Sequence, residues 1–399
     1  MFSFSIVKKD PNSKARVGVI STPHGDVQTP SYVNVATKGF IRAVTNEQAK
    51  RAGVQALISN TYHLWQDKLD EIEQAGGIHT YFKWGNTPMM TDSGGFQVFS
   101  FGFGREHNIS KVGILPKDVR FRRQVERTFE KEKNAVTITD TGVRFVDGDK
   151  KLFLSPQRSI EIQEKLGADI MFAFDECTSP FHDYEYNKQA LARTHAWAKI
   201  CLEAKKRNDQ ALFGVVQGSI YQDLREESAR FLNSLPFAGF GIGGSFGENE
   251  MGQVIDWVTD ILDEQKPRHL LGIGEISNVL DAIGRGVDTF DCVIPTREGR
   301  HGSIWTHDGR YDVRYKKYAA DEPLEKGCEC EACTTVTRKQ LMEMFDAKDA
   351  QAGTWASIHN IYFFNLLMKE ARAAIYEGKF GEFKDAFLAR LGKKASGNA

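Results

Sequence analysis

The sequence predicts a (β/α)8 barrel, and three observations carry that expectation. Eight short apolar runs recur along the 399 residues, at 32–35, 54–59, 88–91, 170–174, 212–216, 239–243, 269–273 and 288–293. Their hydrophobicity is continuous rather than alternating, as in strands buried on both faces of a parallel sheet. Helical patterns fall between them, at 46–52, 65–74, 156–166, 186–206, 222–232, 248–262 and 278–284. Most runs also close on a polar residue or a glycine: Asp92, Asp175, Gln217, Gly243 with Gly244, Gly272 with Gly274, and Asp291. Polar groups ending apolar strands are costly when buried without partners. In a barrel those ends converge on one mouth, where a ligand can satisfy them together. A doubly wound open sheet is the alternative that strand count alone leaves open.

Local signals support individual elements. Ser155 followed by Pro156 reads as an N-cap with proline in the first helical turn. The stretch 142–154 reads as strand-like, and 355–368 as an apolar helix. Between the Asp92 loop and that strand-like stretch lies a segment of about 103–136. Its part 118–133 alternates in charge, with Phe121, Val125 and Phe129 spaced four apart as on one amphipathic helix. The expected organisation is a barrel over 1–318 carrying this segment, a metal-binding subdomain over 319–365, and C-terminal helices over 366–399 that pack on the barrel.

Charge and composition narrow the function. With 41% hydrophobic residues the chain can bury a large core. Lys+Arg total 52 against 53 Asp+Glu, so any nucleic-acid contact must be a local patch rather than a global field. The first ten residues lack the apolar run and cleavage site of a signal peptide. No stretch approaches the roughly 20 apolar residues of a membrane span. Of the six cysteines, Cys177, Cys201 and Cys292 lie far apart while Cys328, Cys330 and Cys333 are crowded together, which is no disulfide framework. A reducing, cytoplasmic setting is expected.

The Thr91-Asp92-Ser93-Gly94-Gly95-Phe96-Gln97 segment puts a carboxylate and a hydroxyl on a glycine turn, where backbone N–H groups can approach a ligand. A turn capped by Asp92 is the plainer reading. Asp175, in Phe174-Asp175-Glu176-Cys177, can accept two N–H bonds from a purine edge, or cap a helix. Gln217 offers a donor and an acceptor to the same base. Gly241-Ile242-Gly243-Gly244 lacks the full dinucleotide spacing, and a glycine pair that admits a flat base suits it at least as well. Asp291, in Phe290-Asp291-Cys292-Val293-Ile294-Pro295-Thr296-Arg297, would be an expensive core carboxylate. At a strand end facing a sugar it could attack an anomeric carbon, with Asp92 moving a proton on or off the base. Arg297 and Arg300 form a basic patch for phosphates or base edges, against the plain alternative of a solvated charged loop. Three cysteines in Cys328-Glu329-Cys330-Glu331-Ala332-Cys333 call for a metal. His359 is the one histidine that follows, and a Cys3His set is a closed structural zinc site with no open position. An iron–sulfur cluster fits less well.

Together these motifs resemble the tRNA-guanine transglycosylases (queuine tRNA-ribosyltransferases) of bacterial type, from about the first strand to the final helix. The resemblance implies Asp291 as nucleophile and Asp92 as general acid/base. It implies base recognition by Ser93, Asp175, Cys177, Gln217, the Gly243–Gly244 backbone and Leu271, with Phe96 stacking on the ring. Thr296, Arg297 and Arg300 correspond to the stretch that contacts the tRNA anticodon loop. One structural zinc falls on Cys328, Cys330, Cys333 and His359. The resemblance implies a homodimer in queuosine biosynthesis, exchanging the wobble guanine for 7-aminomethyl-7-deazaguanine through a covalent aspartyl–ribose intermediate. Three positions depart from the usual pattern: Phe96 for tyrosine, Leu271 for methionine, and Glu275 for lysine on the RNA path. The competing reading is a non-catalytic tRNA-binding partner subunit, which should lose its carboxylates, yet Asp92 and Asp291 are both present. A metal-dependent barrel hydrolase would need a His-x-His or carboxylate cluster at strand ends, and none is visible.

Overall fold

The computed structural model describes residues 1–95, 136–179, 182–244 and 248–395. Phe96, and nearly all of the segment 103–136 with its expected helix, lie outside the described residues.

Eight parallel strands close into a barrel in sequential order, as expected for a (β/α)8 fold. They are β1 (Ser31–Val35), β2 (Leu57–Ser59), β3 (Met89–Thr91), β4 (Ile170–Phe172), β5 (Ala211–Val216), β6 (Gly239–Ile242), β7 (Arg268–Leu270) and β8 (Thr289–Cys292). Each coincides with one of the apolar runs. β5 is buried at every position and β6 likewise, which is why neither alternates in the sequence. The helices that matter below are α1 (Asn46–Arg51), α2 (Thr61–Gln74), α3 (Pro156–Leu166), α4 (Tyr184–Ala204), α5 (Gln222–Asn233), α6 (Glu248–Thr259), α7 (Ile276–Gly284), α8 (Ile294–Arg300) and α9 (Ala350–Tyr376). None of the described helices is long and apolar enough to cross a membrane.

Several boundaries differ from the sequence expectation, each for a local reason. α2 starts at Thr61 rather than near residue 65, because the Asn60 side chain accepts the His63 N–H and caps it there. α4 starts at Tyr184, capped by Asp183. Residues 142–154 form two strands, Gly142–Asp147 and Lys150–Leu154, which join Val136–Thr139 in an antiparallel sheet. A three-stranded sheet of Ser3–Lys9, Arg16–Thr22 and Gly25–Thr29 precedes the barrel and was not foreseen. The basic patch lies on a short helix, α8, rather than a loop, with Pro295 in its first turn.

The chain divides into two compact units. The first comprises Met1–Ser3, Ser59–Tyr81 and Met89–Leu271. Its interior is aromatic: Phe172 meets Phe213 edge-on at 5.6 Å between centroids and His269 at 5.3 Å. Buried Gln163 of α3 accepts from Thr91 Oγ1 (3.0 Å) and Phe172 N (3.1 Å) and donates to Phe172 O (3.0 Å), so one amide ties the ends of β3 and β4 together. The second unit comprises Phe4–Ile58, Phe82–Pro88 and Gly272–Ala399. Here a buried Arg16–Asp288 pair, 2.9 and 2.7 Å, fixes the residue that leads into β8. Along α9, Arg372 Nη1 donates to Pro30 O (2.6 Å) and Asn365 Nδ2 to Ala52 O (3.2 Å), anchoring the helix to the residue before β1 and the residue after α1.

Candidate active site

Asp92 follows β3 and is half-buried. Its Oδ1 accepts the N–H groups of Thr61 (2.9 Å) and Gly94 (3.0 Å), and its Oδ2 accepts Asn60 Nδ2 (2.7 Å). Thr61 Oγ1 also donates to the Asp92 carbonyl. The carboxylate thus sits at the N-terminus of α2, where the partial positive charge of the helix favours an anion. Asn60 serves twice, capping α2 through its oxygen and holding Asp92 through its nitrogen. Asn60 and Thr61 follow the 54–59 run directly and did not stand out in the sequence.

The next loops assemble a second group in the same unit. Ser159 Oγ of α3 donates to Ser93 O at 2.7 Å, setting the Ser93 turn. Ser93 Oγ donates to Asp175 Oδ1 at 3.4 Å, and Gln217 Nε2 donates to Asp175 Oδ2 at 2.6 Å. Gln217 is 97% buried by its 3% exposure, and its Oε1 has no hydrogen-bond partner among the described residues. The amide therefore presents an acceptor beside the Asp175 carboxylate.

Charged residues that sequence reasoning missed hold these loops. Glu176, 1% exposed, receives Arg193 Nε (2.7 Å) and Nη2 (3.1 Å) and the Tyr186 hydroxyl (2.9 Å). That clamp to α4 fixes the backbone on both sides of Asp175 and the half-buried Cys177. Arg225 of α5 is fully buried and donates to Ser219 O (2.7 Å), Val216 O (3.0 Å) and Gly243 O (2.8 Å). Burial pushes its guanidinium down to about 9, while the charge of Cys177 acts the other way. Gly244, at φ 106°, faces this guanidinium, and a Cβ there would come within 2.6 Å of Arg225 Nη2 and 3.0 Å of Gln217 Oε1. The glycine pair leaves room beside the Gln217 amide. Leu271, after β7, pairs its N–H with Ile242 O at 3.2 Å and lies against Gly241.

In the second unit, Asp291 stands on β8, half-buried, and its Oδ1 accepts the Gly272 N–H at 2.8 Å. Tyr32 on β1 donates to Cys292 O at 3.1 Å. Its phenol is raised well above its ordinary range by burial and then by the charges of Cys292 and Asp291, so it stays a neutral donor beside the carboxylate. Immediately downstream, α8 carries Thr296, buried, Arg297, exposed, and Arg300, half-buried. Burial and the like charges of Arg42 and Arg297 lower the Arg300 guanidinium. Arg42 is the member of this patch that the sequence did not reveal.

α8 is seated on α9 by close approach. A Cβ at Gly299 would lie 2.8 Å from Ser357 N and 2.9 Å from Ser357 Cα, so only glycine fits. Asn360 Nδ2 of α9 donates to Pro295 O (3.0 Å) and Ser303 O (2.9 Å), and its Oδ1 accepts Trp305 N (3.0 Å). One residue earlier, fully buried His359 sets its Nε2 2.8 Å from Trp305 O. With Nε2 donating there, Nδ1 turns its lone pair to Cys333 (3.4 Å), Cys330 (3.6 Å) and Cys328 (3.7 Å). Zinc–sulfur bonds of about 2.3 Å and zinc–nitrogen bonds of about 2.05 Å at tetrahedral angles separate N and S by about 3.6 Å. The Cys328, Cys330, Cys333 and His359 cluster could hold a metal ion, and its spacing fits that geometry.

The fold is a closed barrel of parallel strands, with carboxylates and an amide at or next to the strand ends. The profile of the queuine tRNA-ribosyltransferase family matches residues 10–134 and 123–393. A queuine tRNA-ribosyltransferase of Lactococcus lactis subsp. lactis is 40% identical over 398 residues, covering 98% of this chain and 96% of that protein. One from Halothermothrix orenii is 39% identical over 399 residues, 99% of each. One from Geobacillus kaustophilus is 39% identical over 394 residues, 96% of this chain and 95% of that protein. The chain belongs to the queuine tRNA-ribosyltransferase family, and with it to the transferase enzymes.

Proposed function

We propose that this protein exchanges the wobble guanine of tRNA for a 7-deazaguanine base, 7-aminomethyl-7-deazaguanine, in queuosine biosynthesis. The observation that carries the reading is the Asp175–Gln217 pair, with one carboxylate, one amide N–H and one buried Gln217 oxygen lacking a partner among the described residues. Guanine and its 7-deaza analogues present N–H donors beside a carbonyl on one edge, the complement of that set. A buried acceptor without a donor costs on the order of 1–3 kcal/mol, which such a base relieves.

The chemistry is a double displacement. A carboxylate oxygen of Asp291 attacks C1′ of the ribose; the bond from C1′ to N9 of guanine breaks, and its electron pair leaves with the base. Asp92 supplies a proton to the departing base and takes one from the incoming base, whose nitrogen then attacks C1′ and releases Asp291. The Gly272 N–H orients the attacking carboxylate. Ser93, Cys177, Leu271 and the Gly243–Gly244 backbone complete the base pocket, with Phe96 as its stacking partner. Thr296, Arg297 and Arg300 hold the anticodon loop. Cys328, Cys330, Cys333 and His359 would hold a zinc ion, which would supply a fixed cross-link rather than catalysis. The active form is a homodimer.

Mass spectrometry of tRNA incubated with the enzyme and each candidate base tests this. The expected result is a mass change at the wobble nucleotide with 7-aminomethyl-7-deazaguanine. Bound tRNA that never changes mass would instead support a non-catalytic subunit.

A further inference from the structure

The antiparallel sheet of Val136–Thr139, Gly142–Asp147 and Lys150–Leu154 has two unlike faces. Residues directly opposite on antiparallel strands share a face. One face carries Val143, opposite Ile138 and Leu154, and Phe145, opposite Val136 and Leu152. It turns inward, where Phe145 meets Tyr62 of α2 edge-on at 5.7 Å between centroids. The other face carries Arg144, opposite Thr137 and Phe153, and Val146, opposite Lys151. All five are exposed, Val146 to 42% and Phe153 to 41%.

None of the three strands places a carboxylate on this outward face. Asp147 alternates to the inner side, where it accepts the Tyr62 hydroxyl. Arg144 and Lys151 form no ion pair among the described residues. Phe153 is held flat: a Cβ on Gly142, at φ 144°, would meet its ring at 3.0 Å, so the ring lies across the glycine. The Arg144 guanidinium stands 5.6 Å from the ring centroid.

The sheet also borders the carboxylate assigned to proton transfer. Leu154 Cδ2 lies 3.4 Å from where a Cβ on Gly94 would be, and Gly94 belongs to the turn that Asp92 caps. Trp197 Nε1 of α4 donates to Asp140 O at 2.6 Å, fixing the turn between the first two strands of the sheet. A solvent-facing ring between two cations, on a rigid sheet without acids, has the parts of a single-strand nucleic-acid contact. Rings stack unpaired bases, and the cations take the flanking phosphates. The preceding stretch of sequence, 118–133, carries six Lys and Arg against four Asp and Glu, so its charge does not complement this face.

We propose that the outward face of the sheet is an RNA contact, in which Phe153 stacks an unpaired base near the exchanged nucleotide while Arg144 and Lys151 hold the adjoining phosphates. The inference rests on tRNA being the substrate and assigns three further residues to its recognition. Stacking on Phe153 requires a splayed base, so the contact is to a single strand rather than a duplex.

Anisotropy titrations of an anticodon stem-loop RNA at several salt concentrations, with wild type, Phe153→Leu, Phe153→Trp and Arg144→Ala, test the contact. Leucine still covers Gly142 but offers no ring, so Phe153→Leu separates stacking from folding. It should weaken binding roughly 5- to 150-fold with the salt slope unchanged, and Phe153→Trp should retain affinity. Arg144→Ala should weaken binding and reduce the slope by about 0.7, as for one phosphate of a single strand. At saturating tRNA, both Phe153→Leu and Arg144→Ala should exchange base at the wild-type rate, because neither residue touches the reacting atoms. Unchanged affinity in Phe153→Leu and Arg144→Ala, with wild type binding and exchanging normally, would overturn the contact. So would a loss that tracks dissociation of a dimer in sedimentation velocity, which would make this face an interface between copies. A wild-type enzyme that neither binds the RNA nor exchanges a base would refute the tRNA reading itself, and this contact with it.

Discussion

The two halves of the Gln217 amide are used differently. Its nitrogen is spent on Asp175, 2.6 Å away, and its oxygen is left for a ligand. Asp175→Asn keeps the shape but replaces one carboxylate oxygen with a donor. A base N–H then loses its acceptor, at a cost on the order of 1–3 kcal/mol or more. Guanine exchange should fall steeply, by about tenfold or more, with tRNA affinity nearly unchanged in filter binding; equal losses in both would make Asp175 a fold residue. His307 supports a prediction about pH. Its Nδ1 lies 2.7 Å from Glu325 and its Nε2 3.1 Å from both oxygens of Glu370, and these bonds raise it from 6.5 to about 10. A folded-state value above the unfolded one means the protonated ring stabilises the fold. That contribution is fully present below about pH 6.5 and is lost as pH rises through about 10. Denaturation midpoints of wild type and His307→Gln should differ most near pH 6 and converge above pH 10. A gap independent of pH would contradict the assignment.

Among the elements, α8 and α9 join the cysteine–histidine cluster to the arginines of α8. His359 and Asn360 are adjacent on α9, one facing the cysteines and the other holding Pro295 O under α8. Gly299→Ala would force a Cβ to within 3 Å of the α9 backbone at Ser357, an overpacking cost of about 1–3 kcal/mol. Thermal stability should fall, and tRNA affinity should weaken with Arg297 and Arg300 intact; unaltered affinity would show that the seating of α8 does not matter to RNA. Chelation, or Cys330→Ala, should lower stability and solubility before it alters the chemistry of the remaining folded enzyme, because metal binding is coupled to local folding. Elemental analysis should find about one zinc per chain, and finding none would refute the metal assignment. This cluster was legible in the sequence because thiolates at such spacing have few other uses. Glu176 and Arg225 were not. On α5, Arg225 reads as part of a charged surface, and periodicity does not reveal that a guanidinium will turn inward to satisfy three carbonyls. α2 began a turn earlier than its apolar pattern because a cap, not hydrophobicity, sets its start.

For the whole molecule, the barrel was legible because parallel strands buried on both faces write an unbroken apolar run, and all eight runs became strands. The N-terminal sheet escaped because Ser3–Lys9 buries none of its residues fully, Phe4 and Ile6 being only partly covered, so it writes no unbroken apolar run. Asp92 and Asp291 were legible as carboxylates closing apolar strands; the donors that aim them were not, since the Thr61 and Gly272 N–H groups carry no sequence signature and the Asn60 amide reads as a helix cap. The proposed double displacement requires Asp291 to bond covalently to ribose. Enzyme and tRNA should be mixed with the incoming base withheld, then resolved by denaturing electrophoresis, for wild type and Asp291→Asn. A tRNA–protein adduct is expected in wild type and none in Asp291→Asn, which should still bind tRNA through phosphate contacts. An adduct of normal yield in Asp291→Asn would contradict it and make Asp92 the nucleophile to test next.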